Sequence, residues 1–298
     1  MSIKNLAGEI MKIKIITDSC CDLSWEYLKN NDVEVIPFPY FINGNEYIDD
    51  FGQTLSYNDF YGCIRNGSMP TTSQITAFTY METFKKYIEE GYSIIYIGFS
   101  SALSQTYNNS LLAIEQLKEE YPHGDITSID SKSASVGLGL LVYYACEMLR
   151  DGKSKEEIIN WVENNKLKVN HWFIIDSLDH LRRGGRLSTA GAAVGTLLDV
   201  KPLLNLDNEG GLRVVKKIRG RKRAVKELVN ELKSGIVNPE EQVILINHGD
   251  CLEEAEKLRK DVLDAVPVKD TMINYVGPVI GTHTGPGMLC LVFLGEKR

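Results

Sequence analysis

The sequence of 298 residues has no apolar run long enough to span a bilayer, since the longest, GLGLLVYYACEML, is short and contains Glu147. The first segment, MSIKNLAGEIMK, lacks the apolar core of a secretory signal. Cysteines are few, and the six that occur show neither CxxC nor a Cys/His spacing typical of a metal site. These absences predict a cytoplasmic protein with buried, reduced thiols and no metal ion.

Positive charge is also scarce. With 33 lysines and arginines against 40 aspartates and glutamates, the net charge is −7, which argues against a protein dedicated to nucleic-acid binding. The sequence contains no internal repeat and no low-complexity segment. A hydrophobic content of 43% and this length are ordinary for a globular protein with room for two domains.

Strands and helices alternate through the first half of the chain. Short apolar runs such as IKIIT and SIIYIG are typical of buried strands, and segments with helical periodicity follow them. Asn43-Gly44 between two apolar runs predicts a hairpin, and Ser154 with Glu157 forms a capping box that starts a helix. This alternation predicts a parallel sheet covered by helices on both faces.

In the second half of the chain the order of predicted elements differs, because several strands follow one another without a long helix between them. Such a pattern favours a mixed or antiparallel sheet. The strand candidates are HWFIID, VKPLLNL, LRVVKKI, QVILIN, TMINYV and MLCLVFL. Helices are expected near Gly191–Leu198, Lys222–Leu232 and Leu252–Leu263.

We therefore expect an α/β protein of two domains. Residues 1–11 are predicted to form a loosely attached lead-in. Residues 12–166 are predicted to form an N-terminal α/β/α domain around a parallel sheet, and residues 167–298 a C-terminal α/β domain with a mixed or antiparallel sheet.

Two segments rich in hydroxyl groups precede predicted helices. MPTTSQ places Thr71, Thr72 and Ser73 before one helix, and GFSSALSQTYNNS places Ser100 and Ser104 before another. Such residues cap free backbone N–H groups, and the same position attracts a carboxylate or phosphate. Ligands of open α/β sheets bind at the carboxyl ends of strands, so a binding site remains an alternative to simple caps.

A histidine occupies a predicted glycine-rich loop near the C-terminus, in the segment GTHTGPG. A lone histidine in a loop is more often structural than functional. The glycines around His283, however, allow a ligand to approach the backbone closely.

Two arginine-rich segments allow alternative interpretations. HLRRGGRLSTAG, with Arg186, is either a solvated turn before a helix starting at Ser188 or Thr189, or a contact for an anion or a partner. The basic run LRVVKKIRGRKRAVKELV is either a solvated face or a docking surface for an acidic partner or an anionic membrane.

Taken in order, seven segments of the chain resemble those of the DegV family, from about Lys12 to the C-terminus. They are IITDSCCDL, TTSQ, SSALSQTY, IDSKSAS, LRRGGRLS, VKPLL and HTGPG. The resemblance implies two α/β domains with a deep ligand tunnel between them, and it implies binding of a long-chain fatty acid. It further implies a non-catalytic role as the binding subunit of a bacterial fatty acid kinase, presenting the carboxylate to a separate kinase subunit for acyl-phosphate formation.

The resemblance also assigns site residues. The threonine of the family's TSQ, the serine of its LSGTY and the histidine of its HTG, which contact the carboxylate, match Thr72, Ser104 and His283. The arginine of its GGR, implicated in work with the kinase, matches Arg186. The sequence departs from the pattern at Gln105, where the family usually has glycine.

Further head-group candidates are Ser73 and Thr282, whose hydroxyls adjoin the matched positions. The pair Cys20-Cys21 replaces the usual small polar residues after Asp-Ser. No cofactor is expected besides the fatty acid itself as ligand. The expected partners are that ligand and the kinase catalytic subunit, with a transient contact to a membrane surface left open and no nucleic acid.

Two other functional classes fit parts of the sequence. GFSSA is a loose match to a nucleophile elbow, which would make Ser100 the nucleophile of a serine hydrolase with His283 as base and Asp250 as acid. The elbow lacks its last glycine. A docking or nucleic-acid-binding role for the basic residues from Arg219 to Arg223 is disfavoured by the overall acidity and the lack of interleaved aromatic residues.

Overall fold

The computed structural model describes residues 12–187 and 199–298. The predicted lead-in, residues 1–11, and the predicted helix near Gly191–Leu198, with its start at Ser188 or Thr189, lie outside the described residues. The strands are β1 Lys12–Asp18, β2 Glu34–Ile36, β3 Pro39–Ile42, β4 Asn45–Ile48, β5 Thr71–Thr72, β6 Tyr92–Gly98, β7 Ile126–Asp130, β8 Val169–Ile174, β9 Val200–Leu206, β10 Leu212–Arg219, β11 Val243–His248, β12 Asp270–Tyr275 and β13 Leu289–Leu294. The α-helices are α1 Trp25–Asn30, α2 Tyr57–Arg65, α3 Ala77–Glu89, α4 Thr106–Glu120, α5 Val136–Arg150, α6 Lys155–Asn165, α7 Asp179–Arg183, α8 Arg221–Gly235, α9 Leu252–Ala265 and α10 Pro278–Thr284.

The strands form three sheets, and the two larger ones divide the chain into halves. The first has the order β2-β1-β6-β7 and is parallel throughout. The second has the order β10-β9-β8-β13-β11-β12, in which only the β11–β12 pair is parallel. The predicted fold class, a parallel sheet followed by a mixed sheet, is therefore confirmed. The chain passes from the first sheet to the second across the short 3₁₀ turn Lys166–Lys168, where the sequence predicts a domain boundary.

The apolar helix α5 explains how the halves hold together. It contacts β1 and β6 of the first sheet and β8, β11 and β13 of the second. Its sequence is apolar on nearly every side, which is typical of a helix enclosed by other elements. One apolar core consequently runs through both halves, from Ile15 in β1 to Val292 in β13.

The small third sheet, β4-β3-β5, is formed by residues of the first half. The predicted hairpin at Asn43-Gly44 is present, and both residues have positive φ values of 51° and 83°, as a tight two-residue turn requires. The capping box of Ser154 and Glu157 is also present at the start of α6.

Two local predictions were wrong. Thr71 and Thr72 do not cap α3; they form the edge strand β5, and the cap is Thr76, whose hydroxyl accepts from Thr79 N. The segment around His283 is not a loop, because it belongs to α10, which has Pro278 in its first turn, ends at Thr284 and is capped by Gly285 with a φ of 75°. His283 therefore lies in the last turn of a helix.

A buried carboxylate, Asp22, ties the first half to α10. It accepts hydrogen bonds from Ser135 Oγ at 2.5 Å, Asn247 Nδ2 at 3.0 Å and Gly277 N at 3.0 Å. Gly277 is the residue before α10, and a Cβ there would lie 2.8 Å from Asp22 Oδ1. Burial raises the pKa of Asp22 to about 7, although its three hydrogen bonds act in the opposite direction.

This raised pKa predicts how stability depends on pH. An aspartate whose pKa rises on folding stabilises the folded state while it is protonated; that contribution is full below the unfolded value of 3.8 and is lost as the pH rises through about 7. We expect Asp22 to raise the free energy of unfolding by on the order of 1 kcal/mol per pH unit as the pH falls from about 7 to about 5. Chemical denaturation across this range measures the slope.

Two variants isolate the contribution of Asp22 to this pH dependence. Asp22→Asn keeps the size of the side chain and removes its titration, so its free energy of unfolding should change less with pH than that of the wild type. Asp151→Asn alters an exposed carboxylate at the end of α5 and should retain the slope of the wild type. Equal slopes in Asp22→Asn and wild type would show that Asp22 titrates as in an unfolded chain.

Candidate ligand-binding site

A cavity of about 360 Å³ lies where the two halves meet. This is within the size range of small-molecule sites in proteins. Most of its wall is apolar, with contributions from Phe38, Phe99, Leu103, Ala134, Phe173, Leu181, Leu206, Leu212, Val279, Ile280, Met288 and Cys290. Such a wall suits an extended apolar ligand.

Part of the polar lining of the cavity also borders a second pocket. Thr72, Arg186 and His283 line both this cavity and a smaller outer pocket of about 220 Å³, so we call these three residues the mouth. The outer pocket also contains His180 and Arg183, which make it more polar than the cavity.

Thr72 and His283 are joined directly. Thr72 Oγ1 lies 2.9 Å from His283 Nε2, although the two residues are 211 positions apart in the chain. β5 presents the threonine by pairing Thr72 with Tyr40 of β3, and the last turn of α10 presents the imidazole. The structure thus brings together two of the three predicted carboxylate contacts.

The imidazole of His283 is neutral at neutral pH. Burial, and after it the positive charges of Arg186 and His180, lower the pKa of His283 to about 4. Its Nδ1 has no hydrogen-bond partner in the described part of the chain and faces Gly184, where a Cβ would lie 2.1 Å away. Only glycine leaves room for the ring at that point.

Ser104 supplies another hydroxyl to the cavity wall. Its Oγ accepts from Thr106 N at 3.2 Å and lies 2.8 Å from the Thr106 hydroxyl. When Thr106 donates to it, the Ser104 proton is available to a ligand. Gln105 has ordinary right-handed helical backbone angles, so this position does not require the family's usual glycine, and its side-chain oxygen accepts from Asn108.

Arg186 lies closer to the cavity than its place in a polar turn suggested. The side chain is half-buried, and its guanidinium donates to Leu103 O at 3.1 Å and to Gly184 O at 2.6 Å. These two bonds hold Nε and one terminal nitrogen of the guanidinium against the cavity wall. Arg186 borders the ligand space as well as the outer pocket.

The two further head-group candidates occupy different places. Ser73 lines the cavity. Thr282 lies on the outer pocket, and its hydroxyl donates within α10 to Pro278 O at 2.8 Å. Its neighbour Thr284 lines the cavity instead, with its hydroxyl donating to Ile280 O.

Sequence reasoning missed His171, which also lines the cavity and is 2% exposed. Its Nδ1 lies 3.1 Å from Val169 O, and its Nε2 has no partner among the described residues. The available signal was the two-residue period of β8, which places His171 and Phe173 on the same face of the strand.

The residues of the alternative hydrolase do not form a triad. Ser100 is fully buried and donates to Gly210 O at 3.0 Å, whereas His283 contacts Thr72. Asp250 forms an ion pair with Arg65. The hydrolase alternative is wrong in its geometry, because nucleophile, base and acid each have a different partner.

Two of the basic side chains in this run form ion pairs within the chain. Lys216 bridges Glu227 and Glu231 at 2.6 Å each, and Arg221 pairs with Glu254 at 2.9 Å. These pairs offset part of the positive charge of the run.

Among residues 12–187 and 199–298, no group of three or more His, Cys, Asp or Glu side chains has an arrangement that could hold a metal ion. None of the helices described is both long and apolar enough to cross a bilayer. All six cysteines are free thiols, four of them buried and Cys63 and Cys251 half-buried.

The sequence is similar to a known protein family along nearly its whole length. The family model described as "Uncharacterised protein, DegV family" matches residues 12–296. A DegV domain-containing protein of Clostridium perfringens is 48% identical over 287 residues, which cover 96% of this chain and 99% of that protein.

Solved structures show the same fold. A DegV family protein from Thermus thermophilus, described for its fatty acid binding, has a TM-score of 0.86 at 28% identity, over 95% of this chain and 100% of that one. A stearic acid-binding protein from Eubacterium ventriosum has a TM-score of 0.86 at 27% identity, over 95% and 98% of the two chains. The family model spans nearly all the described residues, and the relative from Clostridium perfringens is similar along its whole length; the chain therefore belongs to the DegV family.

Proposed function

We propose that the protein binds a long-chain fatty acid, with the tail in the cavity between the halves and the carboxylate at the mouth. The observation that carries this proposal is a cavity whose wall is mostly apolar and whose mouth adds a threonine hydroxyl and an imidazole. The solved relatives from Thermus thermophilus and Eubacterium ventriosum, described as binding fatty acid and stearic acid, support it.

The tail supplies most of the binding free energy. Burying one methylene yields roughly 0.8 kcal/mol, so a long acyl chain yields on the order of 10 kcal/mol before the costs of association. The carboxylate then needs hydrogen-bond donors to replace water, and it does not need a strong ion pair. This division of roles matches a mouth with a neutral histidine.

The hydrogen bond between Thr72 and His283 suggests how the carboxylate is held. If Nε2 carries the imidazole proton and donates it to Thr72 Oγ1, the threonine hydroxyl is free to donate its own proton to a carboxylate oxygen. Thr106 donates to Ser104 Oγ in the same way, so the Ser104 hydroxyl is also free to donate its proton to the carboxylate. His283 therefore acts mainly by orienting Thr72, which is a more indirect role than the one that the family pattern implies.

We further propose that the bound carboxylate is presented to a separate kinase subunit. In that reaction a carboxylate oxygen attacks the γ-phosphorus of ATP held by the partner, ADP leaves, and an acyl phosphate forms. Support comes from the mouth, where Thr72, Arg186 and His283 face both the cavity and the polar outer pocket. A guanidinium at that place can stabilise charge on the transferring phosphoryl group.

Identification of the natural ligand tests the binding proposal. Protein purified from its expression host and denatured in organic solvent should release long-chain fatty acid in a near-equimolar amount, detectable by mass spectrometry. The fatty acid should compete with an added labelled palmitate. Protein that neither releases a fatty acid nor binds palmitate after delipidation would refute the proposal.

Variants of the head-group site form a second test. Thr72→Ala, Ser104→Ala and His283→Ala should each weaken palmitate binding, since a hydrogen bond to a carboxylate contributes about 1.5–3 kcal/mol. His283→Ala acts through Thr72, so the double variant with Thr72→Ala should be hardly weaker than Thr72→Ala alone.

A matched control is Thr282→Ala, which removes a neighbouring hydroxyl that is satisfied within α10. Isothermal titration on delipidated protein measures all of these affinities. The assignment of the carboxylate to the mouth fails if the first three variants bind palmitate as tightly as Thr282→Ala does.

Arg186 should affect phosphorylation more than binding. A partly solvated arginine near a carboxylate contributes about 1 kcal/mol or less, so Arg186→Ala should lower palmitate affinity by no more than about fivefold. Acyl-phosphate formation with a cognate kinase subunit and ATP should fall by about a hundredfold or more, because charge develops on the phosphoryl group only during transfer.

The matched control for this test is Arg183→Ala, which changes an arginine that borders only the outer pocket. Palmitate titration and a kinase-coupled assay are run on the same preparations. Unchanged phosphorylation by Arg186→Ala would remove the guanidinium from the transfer step, and a large loss of binding would assign it to the carboxylate.

A further inference from the structure

The guanidinium of Arg298 forms an unusually complete set of hydrogen bonds. Its Nε donates to Val169 O at 3.0 Å, one terminal nitrogen to Lys132 O and Asp207 O at 2.8 Å each, and the other to Ser133 Oγ at 3.2 Å and Lys166 O at 2.8 Å. Arginine has five N–H donors, so all of them are used. The acceptors come from both halves of the protein and from the turn that joins them.

These acceptors adjoin segments of the cavity wall. Lys132 and Ser133 directly precede Ala134 and Ser135, which line the cavity. In the second half, Asp207 directly follows the lining residue Leu206.

The third connection to the wall is through His171. The carbonyl of Val169 that accepts from Arg298 also lies 3.1 Å from His171 Nδ1. Arg298 thus bonds to the residues next to Ala134 and Leu206 in the wall, and it shares the Val169 carbonyl with the lining residue His171.

Strand register places two of those pieces, at His171 and Leu206, on the side of the cavity away from the mouth. β8 and β13 run antiparallel with Phe173 opposite Cys290, and Phe173 is also opposite Leu204 of β9. From that level, the chain leaves β8 at Ile174 and continues to Leu181 in α7 and to Arg186 at the mouth. In the other direction it leads back to His171, beside which the strands β9 and β10 pair Leu206 with Leu212.

We infer that Arg298 fixes the tail end of the cavity and thereby sets the length of the acyl chain that the protein accepts. The inference rests on the proposed binding of a fatty acid. Arg298 does not line the cavity; it acts as a positioning residue by holding the three wall segments against one another. With the segments fixed, a chain longer than the cavity has no room for its last methylenes.

The guanidinium is suited to this role because its acceptors are neutral. Four of the five are backbone carbonyls and the fifth is a hydroxyl. A planar fork with five donors holds several carbonyls in fixed directions, whereas a lysine ammonium has only three donors on a flexible stem. Charge alone therefore does not replace the arginine.

A chain-length series tests the inference. Delipidated wild type, Arg298→Ala, Arg298→Lys and Lys297→Ala are titrated with palmitate, stearate and arachidate. In Arg298→Ala the ratio of arachidate to palmitate affinity should rise by about tenfold over that of the wild type, since each newly buried methylene can add about fourfold. Arg298→Lys should change the ratio in the same direction by a smaller factor, and Lys297→Ala, an exposed neighbour, should leave it unchanged.

The outcomes separate this inference from the proposed function. A wild type that binds none of the three acids contradicts the proposed function. A wild type that binds them, with Arg298 variants that lose affinity for all three equally or keep the ratio unchanged, overturns only the role of Arg298. If Arg298→Ala does not fold, the ratio in Arg298→Lys decides by itself, because a purely structural role would lower all affinities without changing their order.

Discussion

The buried carboxylate of Asp22 is the constraint on which the rest of the arrangement depends. A carboxylate so far from water is tolerated only with several donors, and Ser135, Asn247 and Gly277 supply them from three distant parts of the chain. Satisfying this one group therefore fixes the start of α5, the end of β11 and the start of α10 relative to β1. The position of His283 at the mouth follows from the last of these.

Apolar runs and turn residues were sufficient to predict most of the fold. The hairpin at Asn43-Gly44, the capping box at Ser154 and the strands of both sheets follow from patterns that act over a few residues. α10 was missed because PVIGTHT, with its glycine and β-branched residues, has poor helical propensity. That helix depends on tertiary contacts, among them the bond from Gly277 N to Asp22 and the packing of α10 on α2.

The site was less predictable than the fold for the same reason. Each candidate residue lay in an ordinary local pattern, and only the family resemblance suggested that Thr72, Ser104 and His283 act together. Their convergence depends on contacts across 211 positions, which no local pattern reports. His171 and Arg298 belong to the part of the structure where we propose that the tail ends. What brings them together there is strand register and the direction of carbonyl groups, which residue types alone do not report.

The edge position of β5 has a consequence for how a ligand enters. Thr72 belongs to a strand of two residues that pairs on one side only, with Tyr40 and Phe41 of β3. Such an edge opens by local fluctuation at a far lower free-energy cost than separation of the two halves, where the buried hydrogen bonds of Asp22 would break. For the fatty acid of the proposed function, transient release of the β5 edge would therefore suffice for exchange, with the remaining wall intact. A ligand bonded to Thr72, as proposed, would slow the opening through which it leaves.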